Sequence, residues 1–318
     1  MSRSIFSNRA NPVGKRTRSA TRPPPRHAAL PFVRRRRLAT ELRTLREQSG
    51  MTADELAGRI YRSRMTVSKL ENARTRPDVR DIVQMLRILG VTGEKFDEIF
   101  KIACDAADRG WWDSYGDAMG PRQRIYADLE SGAATIRGYN QFVVPGLLQT
   151  PEFIRALVSL DEADGPLNYV PERMLEARLI RQSTALRQGG PTYEIVMDEF
   201  VIRRLAVPPK IMSSQLHELV SAVTREPRLK IYVLPVNARI QGGFSARSSF
   251  TIYTFPDAED PVIALADTAK ADVVHIDPAD VTRYVEMYER LRAASLSAVR
   301  SLTLLEETAC ELANLAGS

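Results

Sequence analysis

Residues 52–72 read TADELAGRIYRSRMTVSKLEN, two short amphipathic helical patterns separated by three turn residues. Thr52-Ala53-Asp54-Glu55 has the form of a capping box, in which a threonine and a glutamate three residues on satisfy each other's free backbone donors. Leu56, Ala57 and Ile60 then supply one apolar face. Tyr61-Arg62-Ser63 makes the turn, and Ser63 is placed to cap a second helix running from about Arg64 to Asn72. On that second helix Val67 and Leu70 share the inward side, while Arg64, Met65, Ser68 and Lys69 share the outward one. A helix that lies in a DNA major groove needs this division: apolar residues to hold its angle, and hydrogen-bonding or long side chains opposite. Arginine and lysine can reach guanine O6 and N7, and a methionine can touch a thymine methyl.

Working outward, Leu38, Leu42 and Leu45 recur at helical spacing ahead of this pair, and Gly50 suits the left-handed cap that ends their helix. Behind it, Pro77-Asp78 punctuates before Val79, Ile82, Met85, Leu86 and Leu89. Gly90 ends that run, and Phe96, Ile99, Phe100 and Ala103 follow on one side of a fifth helix. Five helices in about 75 residues predict an all-α unit over 34–108.

With Leu45-Arg46, Gly50-Met51-Thr52, Glu55-Leu56-Ala57 and Leu70-Glu71-Asn72 in register, Arg43–Leu89 resembles the Cro/repressor-like helix-turn-helix (XRE) family. The resemblance implies base contacts from Arg64, Met65, Ser68 and Lys69, and an ion pair between Arg46 and Glu71. It also implies backbone phosphate contacts around Asn72 and Arg74, and Thr52 is a further DNA-binding candidate. Two positions depart from that pattern. Ala53 stands where the family usually has a glutamine that anchors the DNA backbone, and Ala73 where it usually has glycine. Anchoring is therefore expected to lean on Arg62, Arg74, Arg76 and the basic stretch that begins the chain.

That stretch is distinctive. Residues 1–37 hold eleven Lys/Arg and no Asp/Glu, so the rest of the 318-residue chain carries 34 basic against 39 acidic residues, although the whole is +6. A basic arm beside a folded unit points to a polyanion partner, with Arg34, Arg35, Arg36 and Arg37 as phosphate ligands. Residues 1–33, with Pro23-Pro24-Pro25 and few apolar anchors, are expected to be disordered. No stretch approaches the roughly 20 apolar residues that a membrane helix needs. Only two cysteines, Cys104 and Cys310, occur, both in predicted helices, which favours a reducing cytoplasm over a disulfide framework.

Beyond residue 108 the pattern changes. Trp111-Trp112 and Tyr115 form an aromatic cluster, and helical patterns follow over 121–137, 151–159 and 171–187. Strand-like runs come next at 193–202, 229–236, 249–255, 262–267 and 272–276, then helices from Asp277 and over 296–314. This order predicts an α+β domain over 109–318 with a mostly antiparallel sheet.

Several landmarks make the region similar to a domain of unknown function, DUF5753, that follows such helix-turn-helix units in actinobacterial regulators. They are Tyr126…Leu129-Glu130, Val144–Thr150, Arg178…Arg181-Gln182, Asp198-Glu199, Val233-Leu234-Pro235, Phe250 and 294–301. What this implies is a regulator of development or secondary metabolism, often encoded beside a small partner protein as in toxin–antitoxin pairs; because one helix-turn-helix reads only a half-site, a homodimer at the nucleoid is expected. An antitoxin-like protein whose main task is capturing that partner is the nearest alternative, and an enzyme targeted by its helix-turn-helix the next. Catalysis finds no support in the residues. His27, His217 and His275 are far apart without metal-ligand spacing, no phosphate-binding glycine loop is present, and no cofactor is implied. Asp198 and Glu199, adjacent on an expected strand, would point to opposite faces. Trp111, Trp112 and Tyr115 are candidates for a ligand or partner site at the domain junction. Arg178 and Arg181, three apart on one helix, could clamp an anion, although pairing with Glu199 or a nearby carboxylate is the more ordinary role.

Overall fold

The computed structural model describes residues 31–167, 169–243, 248–268 and 272–317. The expected disordered arm, up to residue 30, lies outside these. Helix α1 spans Pro31–Gln48 and so begins three residues before the expected start of order at Arg34. The reason is packing: Val33 is fully buried, and it belongs to the core of the C-terminal half together with Leu129 and Phe153. Leu38 and Leu42, one and two turns on, belong instead to the N-terminal core. One continuous helix is thus anchored in both cores.

The remaining N-terminal helices are α2 (Ala53–Arg59), α3 (Arg64–Glu71), α4 (Val79–Ile88) and α5 (Gly93–Ala107). Their apolar faces close on one cluster containing Leu56, Val67, Leu70, Ile82, Met85 and Ile99. A 3-10 segment, Trp111–Ala118, leads into α6 (Pro121–Gly132).

The C-terminal half is built on a mixed six-stranded sheet in the order β3-β2-β1-β4-β5-β6. Its strands are β1 (Thr135–Asn140), β2 (Thr192–Asp198), β3 (Leu229–Leu234), β4 (Phe250–Thr254), β5 (Ile263–Ala266) and β6 (Val273–His275). β1, β2 and β3 are parallel, whereas β4 to β6 continue antiparallel from β1, so the sheet is mostly antiparallel. Parallel neighbours need long crossovers. α7 (Pro151–Asp164) and α8 (Pro171–Ala185) supply the first, and α9 (Phe200–Arg203) and α10 (Pro209–Arg225) the second. On one face Ile195, Met197, Ile231, Val233 and Leu265 pack with Phe153, Met212, Leu216 and with Leu305 and Ala309 of α12 (Ala298–Gly317). On the other, Val196, Tyr232 and Ile252 meet Val281, Tyr288 and Leu291 of α11 (Pro278–Ala294).

Three local expectations are corrected. Residues 135–137 begin the central strand β1 instead of ending a helix, because Thr135–Asn140 is pinned between two neighbours. Helix α10 was not anticipated, although Met212, Leu216 and Leu219 recur at helical spacing and are buried; its Gln215 accepts from the Thr150 N–H and donates to the Leu148 carbonyl. Glu199 lies off the strand as the N-cap of α9, where it accepts from Arg203 and the Val236 N–H, so Asp198 and Glu199 serve separate local bonds.

Candidate nucleic-acid interface

Each of the two helices at the candidate interface starts on a side-chain cap. The Thr52 hydroxyl accepts from the Glu55 N–H at 3.2 Å while the Glu55 carboxylate accepts from the Thr52 N–H at 2.8 Å. Those bonds hold the Glu55 carboxyl below the usual carboxylate range. Ser63 caps α3 by accepting from the Thr66 N–H at 3.2 Å. Between them Tyr61 takes a left-handed backbone, φ 54°, and stands almost wholly in solvent. A tyrosine in that conformation is strained relative to glycine or asparagine.

Val67 and Leu70 root α3 in the helical core, and Arg64, Met65, Ser68 and Lys69 are all exposed. Met65 is 64% exposed, unusual for a large apolar side chain on a helix that has a core to join. Arg64 reaches only a 3.5 Å contact with Asp54, and the Lys69 side chain makes no hydrogen bond or ion pair among the described residues. The face is therefore long-armed and only loosely engaged, by the Arg64–Asp54 and Asn72–Ser68 contacts at 3.5 Å.

Beneath it the helix is tied to α1. Arg46 donates from Nε to Glu71 Oε1 at 2.6 Å and from Nη2 to Oε2 at 3.1 Å, and its Nη1 meets the Met51 carbonyl at 2.9 Å. Glu71 is buried, and its hydrogen bonds raise the Arg46 guanidinium further above its ordinary value. Such a bidentate pair fixes orientation as well as energy. Ala73, one residue past the α3 cap, adopts φ 53°. That conformation explains why the resembling family prefers glycine there: only glycine enters it without a Cβ clash. Ala53 packs at the edge of the core and has no group to offer a phosphate.

The expected phosphate ligands divide. Arg74 is exposed and unpaired among the described residues. Asn72 donates to the Ser68 carbonyl at 2.7 Å and accepts from Arg43 at 3.1 Å, which brings an exposed α1 arginine, missed in the sequence, beside α3. Arg62 is bonded to Asp81 at 2.9 Å and Arg76 to Asp113 at 2.7 Å, so both are partly engaged.

The run Arg34–Arg37 is the main correction. Arg34 lies 3.0 Å from Asp257 and 3.2 Å from Asp260; Arg37 lies 2.7 Å from both Asp257 and Glu98; Arg35 lies 3.9 Å from Asp128. Arg36 stacks over the Phe32 ring and is lowered by burial, then by nearby Arg74. Three of the four arginines thus face carboxylates, two of them of the C-terminal half in the β4–β5 loop, where a phosphate would have to compete. Asp128 itself, on α6, accepts from the Phe32 N–H at 3.1 Å and so caps the start of α1. Burial pushes its carboxyl up to about 7, against the pull of Arg35.

The aromatic junction also resolves into parts. Trp112 is buried against Met119, Ala127 and Ala177; Trp111 packs edge-on to it, and Tyr115 edge-on to Trp111. A shallow cavity of about 430 Å³ opens beside Tyr115, Tyr169 and Arg173, and neither tryptophan lines it. Arg178 and Arg181 both find partners inside the domain. Arg181 is buried, donating to Glu130 at 2.8 Å and to Gln123, and Arg178 donates to Gln149 at 3.2 Å. Glu130, not Glu199, is the carboxylate partner, and burial pushes it up to about 7. No helix among the described residues is long and apolar enough to cross a membrane.

Comparison with known families gives two matches that together cover most of the chain. A helix-turn-helix domain model matches residues 37–99, and a model described as a domain of unknown function (DUF5753) matches residues 123–307. The first is a DNA-binding domain, and the pair is typical of regulators and not of enzymes. No curated protein and no solved structure matches the chain.

Proposed function

From a chain that belongs to the DUF5753 family and carries a DNA-binding helix-turn-helix domain ahead of it, we propose a sequence-specific transcription regulator. In this reading α3 enters the major groove and its outer face reads bases. The observation that carries it is that face itself: Arg64, Met65, Ser68 and Lys69 exposed together on a helix held from behind by Arg46–Glu71. Arg43, Asn72 and Arg74 flank it as phosphate contacts, and the basic residues before position 31 add sequence-independent affinity. One such helix reads a half-site, so the working form is a homodimer on a two-fold operator. The cytoplasm, at the nucleoid, is where such a protein acts, and control of development or secondary metabolism is the role its family resemblance implies.

Control of DNA binding by the C-terminal domain fits the shared helix. Because α1 is rooted in both cores, a small partner protein or other input bound to the C-terminal domain would reach α3 through α1. Such an input shifts DNA affinity only by as much as it distinguishes the two arrangements.

Competition binding against operator variants tests the base reading. Arg64→Ala is expected to cost about 1–3 kcal/mol of specific affinity and to relax one operator position, leaving non-specific binding nearly intact. Unchanged preference at every base would remove Arg64 from the readout.

A further inference from the structure

Away from the DNA-binding half, helices α10 and α12 pack side by side and bring three metal-ligating side chains of different kinds to one solvent-facing spot. Glu306 and Cys310 are one turn apart on α12, and His217 faces them from α10. One ligand atom from each lies within 4.8 Å of the other two. The histidine is already oriented. Its Nδ1 meets the Ser213 carbonyl at 3.0 Å, a bond that requires Nδ1 to carry the proton and leaves the Nε2 lone pair free. Nε2 points at Glu306, 3.6 Å from its carboxylate. A backbone carbonyl on the second ring nitrogen is the arrangement that fixes tautomer and ring angle in metal-bound histidines. Neither Glu306 nor Cys310 has another hydrogen bond or ion pair among the described residues, so no competing interaction has to be broken.

We propose that His217, Glu306 and Cys310 form a binding site for a divalent transition-metal ion of the zinc type, bridging α10 to α12. Imidazole, carboxylate and thiolate are the donor set for such an ion; magnesium and calcium would want oxygen alone. Bonds of about 2.0–2.3 Å in a tetrahedron separate ligand atoms by roughly 3.3–3.8 Å, so small rotamer changes at three exposed side chains close the site. The fourth position faces solvent and takes water. On binding, the Cys310 thiol releases its proton to solvent as the metal–sulfur bond forms, and the imidazole binds neutral. The ion would staple α12 to α10, whose contact is otherwise apolar apart from Ser213 donating to the Ala309 carbonyl at 2.8 Å.

Titration of the full chain with cobalt(II), followed by displacement with zinc, is the test, because a cobalt–thiolate bond gives a charge-transfer absorption that no other ligand here can produce. The wild type is expected to show that band at one equivalent per chain, lose it on adding zinc, and gain thermal stability with zinc. Cys310→Ser should abolish the band. His217→Ala should weaken zinc binding by at least about 10-fold, judged against the loss that even outer-shell changes cause. Cys104→Ser, at the only other cysteine, should leave both intact. A wild type without the band, or a band that survives Cys310→Ser or is lost with Cys104→Ser, would overturn the site. His217 and Cys310 are exposed and Cys104 is half-buried, and a circular-dichroism melt of each variant checks that it folds.

Discussion

The start of α1 and the outer face of α3 are both rich in basic side chains, and their fates are opposite. Arg34, Arg35 and Arg37 are turned toward Asp257, Asp260, Glu98 and Asp128, whereas Arg64 and Lys69 stand in solvent. Residue type cannot tell these two sets apart; the difference is what each faces. A carboxylate held by another element takes an arginine out of the pool that can meet a phosphate, and the acids concerned come from as far away as the β4–β5 loop. The two regions also differ in what they join. The α1 arginines fasten one half of the chain to the other, and α3 is fastened only from behind.

The largest effect is expected from cutting that rear attachment. Arg46→Met leaves Glu71 buried without its partner, an error that typically costs about 3–5 kcal/mol. Denaturant unfolding should show the N-terminal unit loosened, and adding Glu71→Leu should restore much of the loss. Strict additivity in this double-mutant cycle would mean that the two side chains do not act as a pair.

Next comes the latch. Arg34→Ala with Arg37→Ala strands Asp260, whose side chain is fully buried, and should cost about 1–3 kcal/mol. Thermal unfolding should then separate toward two transitions, one for each half. The slope of log K against log salt for DNA should change little, whereas Arg64→Ala with Lys69→Ala should flatten it. A flattened slope in the latch variant alone would return these arginines to the DNA.

The same joint should respond to pH. The Asp128 carboxyl titrates near 7 when folded and near 3.8 when unfolded, so the folded state holds the extra proton between these values. Stability from this group is therefore present at low pH, declines as pH rises through that window, and is lost above about 7. Asp128→Asn keeps an acceptor for the Phe32 N–H and removes the titration. The variant should match the wild type only below about pH 3.8, exceed it modestly near pH 5 and exceed it most near pH 8 in thermal melts. Glu130 shares the window but is present in both proteins, so the difference between the curves isolates Asp128. Parallel curves would show that Asp128 does not govern the joint.

The smallest effect belongs to α3's own end. An alanine in the left-handed region loses about 1–2 kcal/mol, and glycine returns about 0.5–1 of that in extra chain entropy. Ala73→Gly is thus expected to stabilise the N-terminal unit by about 0.5–1 kcal/mol without altering base preference. Destabilisation would contradict the backbone conformation at Ala73.

Local signals made the helix-turn-helix legible. Capping residues, glycine stops and apolar spacing act within a few positions, so Thr52, Ser63, Gly50 and Gly90 mark the ends of elements whose inner faces Val67 and Leu70 then identify. The outward set at Arg64, Met65, Ser68 and Lys69 followed from the same periodicity. Other features were not local. Thr135–Asn140 contains arginine, glycine and asparagine and has little strand character of its own; β2 on one side and β4 on the other make it a strand. Arg181 was readable as a helix-surface cation until Glu130, 51 residues away, was placed against it. The tetra-arginine run looked like a phosphate arm because its partners lie more than 60 residues distant. Composition and short-range pattern by themselves determined the helix-turn-helix unit, its exposed face and the α+β class of the rest. Tertiary structure alone decided which charges are spent on one another, because an ion pair depends on distance through space, and the chain encodes that distance only after it has folded.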